Sequence, residues 1–481
     1  MRQQRSLRES RGQQDTTGLD IRTSIAATKI MNSIERPKGY TVSYHANPEV
    51  EGHHFGACHP MKPWRLTLTN KLVISYGMHD AMDLYVSRAA TEQELISFHT
   101  ERYVKELQRV NPSNTTHDMI SGIVNEHNFG DDCPVFDGLF RYCSLYSGAS
   151  LDAARKITSH QSDIAINWSG GLHHAKKNEA SGFCYVNDIV LAIQQLLLHH
   201  PRVLYIDIDV HHGDGVEQAF WSTDRVLTVS FHKYDGKDFF PGTGALDDTG
   251  PKNHANPGSH HSINVPLHSG IEDDQYKDLF KKIVGPCIEQ YKPTAIVLQC
   301  GADSLGGDRL GVFNLNIEAH GFCVDFVKAY KIPLILLGGG GYTPRNVARL
   351  WAYETSLAIG VQDINRDLPA HTPFREHFRD GTLLPPLSSI DRKFSNANDR
   401  KYLDSVIQNS LETLRYIKGS PSVQLTRIPP DLGFVRAQVE KEYQQQKKEK
   451  EQMLGVDNGE VEARRKKKEA ARGTVSEMYV D

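Results

Sequence analysis

The sequence predicts an α/β domain built around a mainly parallel sheet. Three observations carry that expectation. Short apolar runs recur from Tyr40 onward. They are continuous in hydrophobicity and do not alternate, as strands covered on both faces require. Helix-patterned segments separate them, which is the β–α–β rhythm of parallel pairing. The chain has 481 residues, enough for one large core, and the sheet domain is expected at 39–425.

Residues 1–38, opening "MRQQRSLRESRGQQDTTGLD", are polar with little to bury. They read as a disordered extension and lack the apolar centre of a signal peptide. Strands are expected at "SDIAINW" (162–168), "RVLYIDIDV" (202–210), "RVLTVSFH" (225–232), "TAIVLQCG" (294–301) and "PLILLGGGG" (333–341). Between them, "CYVNDIVLAIQQLLLHH", "DQYKDLFKKIVGPCIEQY" and "TPRNVARLWAYETSLAI" have the spacing of amphipathic helices. Residues 426–481 read as a charged tail, partly helical or disordered. Its "RRKKK" fits either a nuclear address or a solvated charge run.

A formal net charge of -4 gives no global pull toward nucleic acid or anionic lipid. No apolar run approaches the roughly 20 residues that span a bilayer. Seven cysteines, an odd number without a CxxC pair, read as reduced thiols of cytosol or nucleus. The sequons at Asn114 and Asn167 therefore carry no expectation of glycosylation.

Each expected strand runs into polar or glycine-rich sequence, and in parallel α/β sheets such loops converge on one crevice. "YIDIDVHHGDG" (205–215) is the densest of them. On an extended strand Asp207, Asp209 and His211 point one way, because the side-chain period is two. Asp209 and His211 then clamp a metal, with Asp303 of "CGADSL" as the best third ligand. Two carboxylates and a histidine with an open position suit a catalytic zinc; an ion-paired aspartate network is the bland alternative. His173 and His174 in "LHHAKK" read as metal ligands, an acid/base pair or plain turn histidines. Asp207 and Asp214 remain to orient one imidazole each. Tyr342 follows "GGGG", a run that lacks the spacing of a phosphate cradle, and can donate to a carbonyl oxygen. The parts together describe metal-assisted amide hydrolysis.

"WSGGLHHAKK", "HHGDGVEQAF", "DDCPVFDG", "SFHKY…FFPGTG", "QCGADSL" and "GGGGYTPRNVAR" resemble, in order, the motif set of class I zinc-dependent histone deacetylases. The resemblance runs from about Tyr40 to Pro430 and is greatest to fungal members of the corepressor-complex branch. It implies the arginase/deacetylase fold, a single three-layer domain with a central eight-stranded parallel sheet. It also implies zinc on Asp209, His211 and Asp303, His174 as general base and then acid, and His173 as its electrostatic partner. Asp207 would pair with His173, Asp214 with His174, and Tyr342 would stabilise the oxyanion. The acyl-lysine would pass between Phe183 and Phe240, with Gly182 on the wall, Leu310 at the mouth and Asp132 at the rim. Trp168 and Cys184 read as packing.

The resemblance further implies two structural potassium ions. The inner one would use Asp207, Ser230 and carbonyls of Asp209, His211 and Phe231. The outer one would use Phe220, Thr223, Val226 and His261. Here "GPKNHANPGSHHSINVP" is longer than the family loop, and His261 replaces a tyrosine. His54, Lys62, Arg309 and Arg345 match an inositol-phosphate-binding set through which a SANT-type corepressor subunit acts, although Cys58 replaces a glycine there. Implied partners are acetylated histone tails and corepressor subunits, with no sequence-specific DNA binding and no membrane; the implied location is the nucleus, with the cytoplasm also open. Three alternatives stand beside this reading. A two-manganese ureohydrolase needs an Asp-x-Asp, whereas Leu305 follows Asp303 at that spacing. A non-catalytic acyl-lysine reader is expected to lose Tyr342 or a histidine. A deacetylase of small acylated polyamines stays open, with the rim and C-terminal similarity favouring protein substrates.

Overall fold

The computed structural model describes residues 33–115, 126–417 and 432–453, apart from Lys237, Gln362 and 388–393, together with Gly122, Ala463, Lys466 and Lys467. The chain divides into two units, Met1–Ser422 and Val423–Asp481. In the first unit eight strands form one sheet in the order β2-β1-β3-β8-β7-β4-β5-β6. Every neighbouring pair is parallel. The strands are β1 (Val42–Ala46), β2 (Asp83–Val86), β3 (Ile164–Asn167), β4 (Val203–Asp207), β5 (Val226–Lys233), β6 (Ser262–Leu267), β7 (Ala295–Gln299) and β8 (Leu334–Leu337).

The five apolar runs become β3, β4, β5, β7 and β8, which are contiguous in the middle of the sheet. β2 and β6 carry no such run. β2 is a half-exposed edge strand, and β6 ("SINVPL") is buried along its whole length despite its polar residues and proline. Side chains of the central strands divide by parity between two apolar clusters. Val203 and Tyr205 of β4, Val297 of β7 and Ile335 of β8 pack in one. Leu204, Ile206, Leu298 and Leu336 pack in the other. A strand buried on both faces cannot alternate in polarity, hence the unbroken apolar runs. Helices Leu139–Thr158 and Asp188–Leu196 contribute to the first cluster. Helices Trp64–Ser75, Asp273–Tyr291, Ile317–Lys328 and Pro344–Ala358 contribute to the second.

Two expectations change. β4 ends at Asp207, not at Val210, because the Asp207 carboxylate turns back to accept the Asp209 N–H at 3.1 Å. Asp209 and His211 therefore sit on the loop beyond the strand and not along a two-residue ladder. The folded body also begins before residue 39: the Ile34 N–H donates to Gly77 O, and Arg36 pairs with Asp83 at 2.8 Å. The rest of the expected N-terminal extension, 1–32, lies outside the described residues.

The second unit contains the helix Leu432–Met453, on which Val439 and Tyr443 are exposed. Of "RRKKK" only Lys466 and Lys467 are described. Among the described residues no helix is long and apolar enough to cross a membrane.

Trp351 ties the helix that follows β8 to the sheet. Its ring stacks on Trp168, with centroids 5.6 Å apart at 3°, and its Nε1 donates to Cys300 O at 2.9 Å. Trp351→Ala empties a wholly buried site and should cost about 3–5 kcal/mol in denaturant unfolding. Trp351→Phe, which keeps a ring but loses the N–H, should cost clearly less.

Candidate active site

The loops after β3, β8, β7, β4 and β5 meet over the carboxyl ends of those neighbouring strands. Asp209 and Asp303 come from the loops of adjacent strands β4 and β7, and both are completely buried. Asp209 Oδ2 accepts from Gln299 Nε2 at 2.9 Å and from the Gly340 N–H at 2.8 Å. Asp303 Oδ1 accepts the Val210 N–H at 2.9 Å. His211 Nδ1 lies 3.1 Å from both Asp209 Oδ1 and Asp303 Oδ2. One donor atom from each of the three falls within 4.8 Å of the others, and no second such group occurs among the described residues.

Burial and mutual charge set the electrostatics of this trio. Burial and the charge of Asp209 push the Asp303 carboxyl up to about 7. Burial opposes charge on His211, yet the two carboxylates outweigh it and raise the imidazole to about 10. Two buried carboxylates side by side favour a positive partner, and a divalent cation would supply that charge. The nitrogen and oxygen donors fit zinc. Gly340 is required here by close approach, since a Cβ would lie 2.0 Å from Asp303 Oδ2.

Two His–Asp pairs flank the trio. His173 Nδ1 is 2.7 Å from Asp207 Oδ2, which also accepts the Tyr205 hydroxyl at 2.5 Å. His174 Nδ1 is 2.8 Å from Asp214 Oδ1, whose other oxygen pairs with Lys176. The two imidazoles differ. Burial disfavours charge on His173, but Asp207 and Asp209 overcome it and raise the ring to about 9. Burial and the neighbouring His173 lower His174 to about 3. The two adjacent imidazoles are thus driven in opposite directions. Burial, with Asp303 and Asp209 nearby, keeps the Tyr342 phenol protonated.

Aromatic rings wall the entrance. Phe240 packs edge-on against His174 (4.9 Å), Phe239 stacks on His211 (5.3 Å), and Phe183 meets both Tyr342 (5.6 Å) and His59 (4.5 Å). Gly182, at φ 50°, fits between two of these groups. A Cβ there would stand 2.5 Å from His174 Cδ2 and 2.8 Å from Phe240 Cε1. Leu310 is half-buried, and exposed Asp132 receives the His59 Nε2 proton on its carbonyl at 3.3 Å.

A Histone deacetylase domain model matches residues 59–358. Histone deacetylase B of Dictyostelium discoideum is 50% identical over 424 residues, covering 88% of this chain and 98% of that protein. Histone deacetylase 9 of Arabidopsis thaliana is 49% identical over 390 residues, covering 81% of this chain and 89% of that protein. Histone deacetylase 1 of Homo sapiens is 47% identical over 390 residues, covering 81% and 78%. The chain belongs to the histone deacetylase family. Its eight-stranded parallel sheet with flanking helices is the arginase/deacetylase α/β fold, and it is a protein lysine deacetylase, an amide hydrolase.

The remaining sequence-derived positions of the deacetylase are more dispersed. Asp207 and Ser230 face each other in the β4–β5 register. Phe220, Thr223, Val226 and His261 gather at the opposite, amino-terminal end of β5, where the Thr228 N–H donates to His261 O at 3.1 Å. His54, Arg309 and Arg345 are exposed, whereas Lys62 Nζ donates to Gly56 O and Ala57 O at 2.8 and 2.9 Å. Arg345 borders a cavity of about 140 Å³ with Arg349 and Asp380. Trp168 and Cys184 are buried packing residues.

Several residues that shape the site carry no sequence signal of their own. Arg65 donates to Gly339 O (2.6 Å) and Gly341 O (2.7 Å), more than 270 positions away. Asp188 accepts the Gly171 and Leu172 N–H groups, both at 2.9 Å, and so shapes the turn into His173. Gln299, Lys176 and Asp308 likewise acquire meaning from partners brought close by the fold. Gly182→Ala should lower kcat/KM on an acetyl-lysine peptide by roughly tenfold to a hundredfold through displacement of His174 and Phe240. Metal content should stay near that of the parent protein, while the left-handed φ and the clash should lower the melting temperature by a few degrees.

Proposed function

We propose that the chain hydrolyses N-ε-acetyl-lysine in histone tails with zinc held by Asp209, His211 and Asp303. The observation that carries this is the convergence of that buried trio with two His–Asp pairs and a protonated tyrosine. When bound, zinc supplies Lewis acidity toward the amide carbonyl and acidifies water. With Nδ1 engaged by Asp214, His174 exchanges protons through Nε2. It takes one from the attacking water and returns it to the departing lysine amine. Its low proton affinity makes protonated His174 a strong acid for that second transfer. His173 stays charged on Asp207 and adds positive potential beside the reaction. Tyr342 donates its hydroxyl to the oxygen that becomes negative in the tetrahedral intermediate. Phe183, Phe240 and Gly182 sheathe the apolar lysine stem, Leu310 borders the mouth, and Asp132 holds the substrate backbone.

The same reading extends to ions and partners. Potassium on Asp207 and Ser230, with carbonyls of Asp209, His211 and Phe231, would offset buried negative charge. A second ion at Phe220, Thr223, Val226 and His261 would brace the far end of β5. His54, Lys62, Arg309 and Arg345 would bind an inositol phosphate at a contact with a SANT-type corepressor subunit, since guanidinium forks suit phosphate oxygens. The setting is transcriptional regulation on chromatin in the nucleus.

Asp303→Asn should lower bound zinc, read by elemental analysis, and nearly abolish deacetylation of an acetylated histone peptide. Full turnover by a preparation verified free of metal would refute the zinc reading. Tyr342→Phe should reduce kcat about a hundredfold or more with little change in KM, as loss of an oxyanion donor does. A higher inositol phosphate should raise activity of the partner-bound enzyme, and that gain should shrink as salt rises. A flat dose response, or an unaltered response in Arg345→Ala, would remove the phosphate site from the reading.

A further inference from the structure

Tyr342 follows four glycines, Gly338–Gly341, of which Gly339 and Gly341 have φ of 147° and 124°. Glycine leaves the backbone freer than any other residue, so such a run cannot by itself hold the next side chain in place. Something outside the run must do so. Arg65 grips two of its carbonyls, at Gly339 and Gly341. The backbone N–H of Tyr342 itself goes to Asp308, on the neighbouring loop after β7.

Asp308 is 3% exposed and serves both loops. Its Oδ1 accepts the N–H groups of Leu310 (2.9 Å) and Gly311 (3.1 Å) in its own loop. Bonds of that kind are the ordinary local closure of an aspartate turn. Its Oδ2 accepts the N–H groups of Tyr342 (2.7 Å) and Thr343 (3.2 Å), across 34 and 35 positions of chain. Four N–H donors satisfy the carboxylate, and hydrogen bonds to an ionised acceptor are stronger than neutral ones. Thr343 Oγ1 adds a parallel stitch to Gly307 O at 3.1 Å. The loop bearing Asp308 also carries Asp303, so the clamp ties Tyr342 to the segment of the metal-competent trio.

We propose that Asp308 is a positioning residue for Tyr342: by fixing the Tyr342 N–H it sets the point from which the phenolic hydroxyl meets the oxyanion. The inference rests on the oxyanion role given to Tyr342 above. Asp308→Asn preserves volume but replaces one acceptor oxygen with an NH2 group that cannot accept. It should lower kcat about a hundredfold, the loss that a displacement near 1 Å produces, while KM moves less than about threefold. Bound zinc should equal that of the parent. In a Tyr342→Phe background the same substitution should change kcat less than about twofold, because no hydroxyl remains to be placed.

Tyr342→Phe with parental kcat would overturn the role of Tyr342. A damaging Tyr342→Phe combined with a parental Asp308→Asn would overturn the positioning role alone. Equal losses from Asp308→Asn in both backgrounds would also overturn it, since they would report general structural damage. Where Asp308→Asn does not fold, Thr343→Val removes the parallel stitch and reads the same coupling. It should lower kcat about threefold in the parent and leave Tyr342→Phe unchanged; equal losses in both would reject the proposal.

Discussion

The site is organised by one unfavourable juxtaposition: two carboxylates, Asp209 and Asp303, completely buried on neighbouring strand ends. Like charges removed from water repel and lose hydration, a penalty of several kcal/mol per ion in folded proteins. The surroundings answer it piece by piece. Gln299 and the Gly340 N–H donate to Asp209, the Val210 N–H donates to Asp303, and His211 faces both. Glycines at 301 and 340 are needed because a Cβ at either would lie 2.0 Å from a carboxylate oxygen. A cation held by Asp209, His211 and Asp303, as proposed above, would offset that excess of negative charge.

From that constraint the two histidines acquire different characters. Both are buried beside an aspartate at nearly the same distance, 2.7 and 2.8 Å. His173 lies close enough to Asp209 to feel the excess negative charge, 3.9 Å from Nε2 to Oδ2. His174 instead feels the positive His173, and its own Asp214 is shared with Lys176. One sequence motif, two adjacent residues of the same type, thus yields one ring whose proton affinity is raised and one whose proton affinity is lowered.

The glycine run that precedes Tyr342 is held by contacts from outside itself. The fold takes its carbonyls with Arg65 and the following N–H with Asp308. Arg65 also lies over the Trp351 ring at 5.0 Å, so the support of the loop continues into the core. Arg65 and Asp308 are both buried, and each bonds backbone groups of a distant segment.

The sequence by itself determined the class of the fold and the chemical inventory. Strands buried on both faces must be apolar throughout, so β3, β4, β5, β7 and β8 were legible as runs, and the polar sequence after each marked the loops that meet. Asp209, His211, Asp303, the histidine pair and Tyr342 were legible because their side-chain chemistry is unusual directly behind buried strands. β2 and β6 were not, since an edge strand and a polar-containing strand have no local signature. The termination of β4 at Asp207 was also illegible, because it is set by a side chain folding back on its own backbone. Only the tertiary structure decided which nitrogen faces which carboxylate and which imidazole carries charge. It alone brought Arg65 and Asp308 to the loop of Tyr342. Those outcomes are set by burial and by contacts between distant segments, and hydrogen bonds across 34 or 276 positions leave no trace in either local sequence.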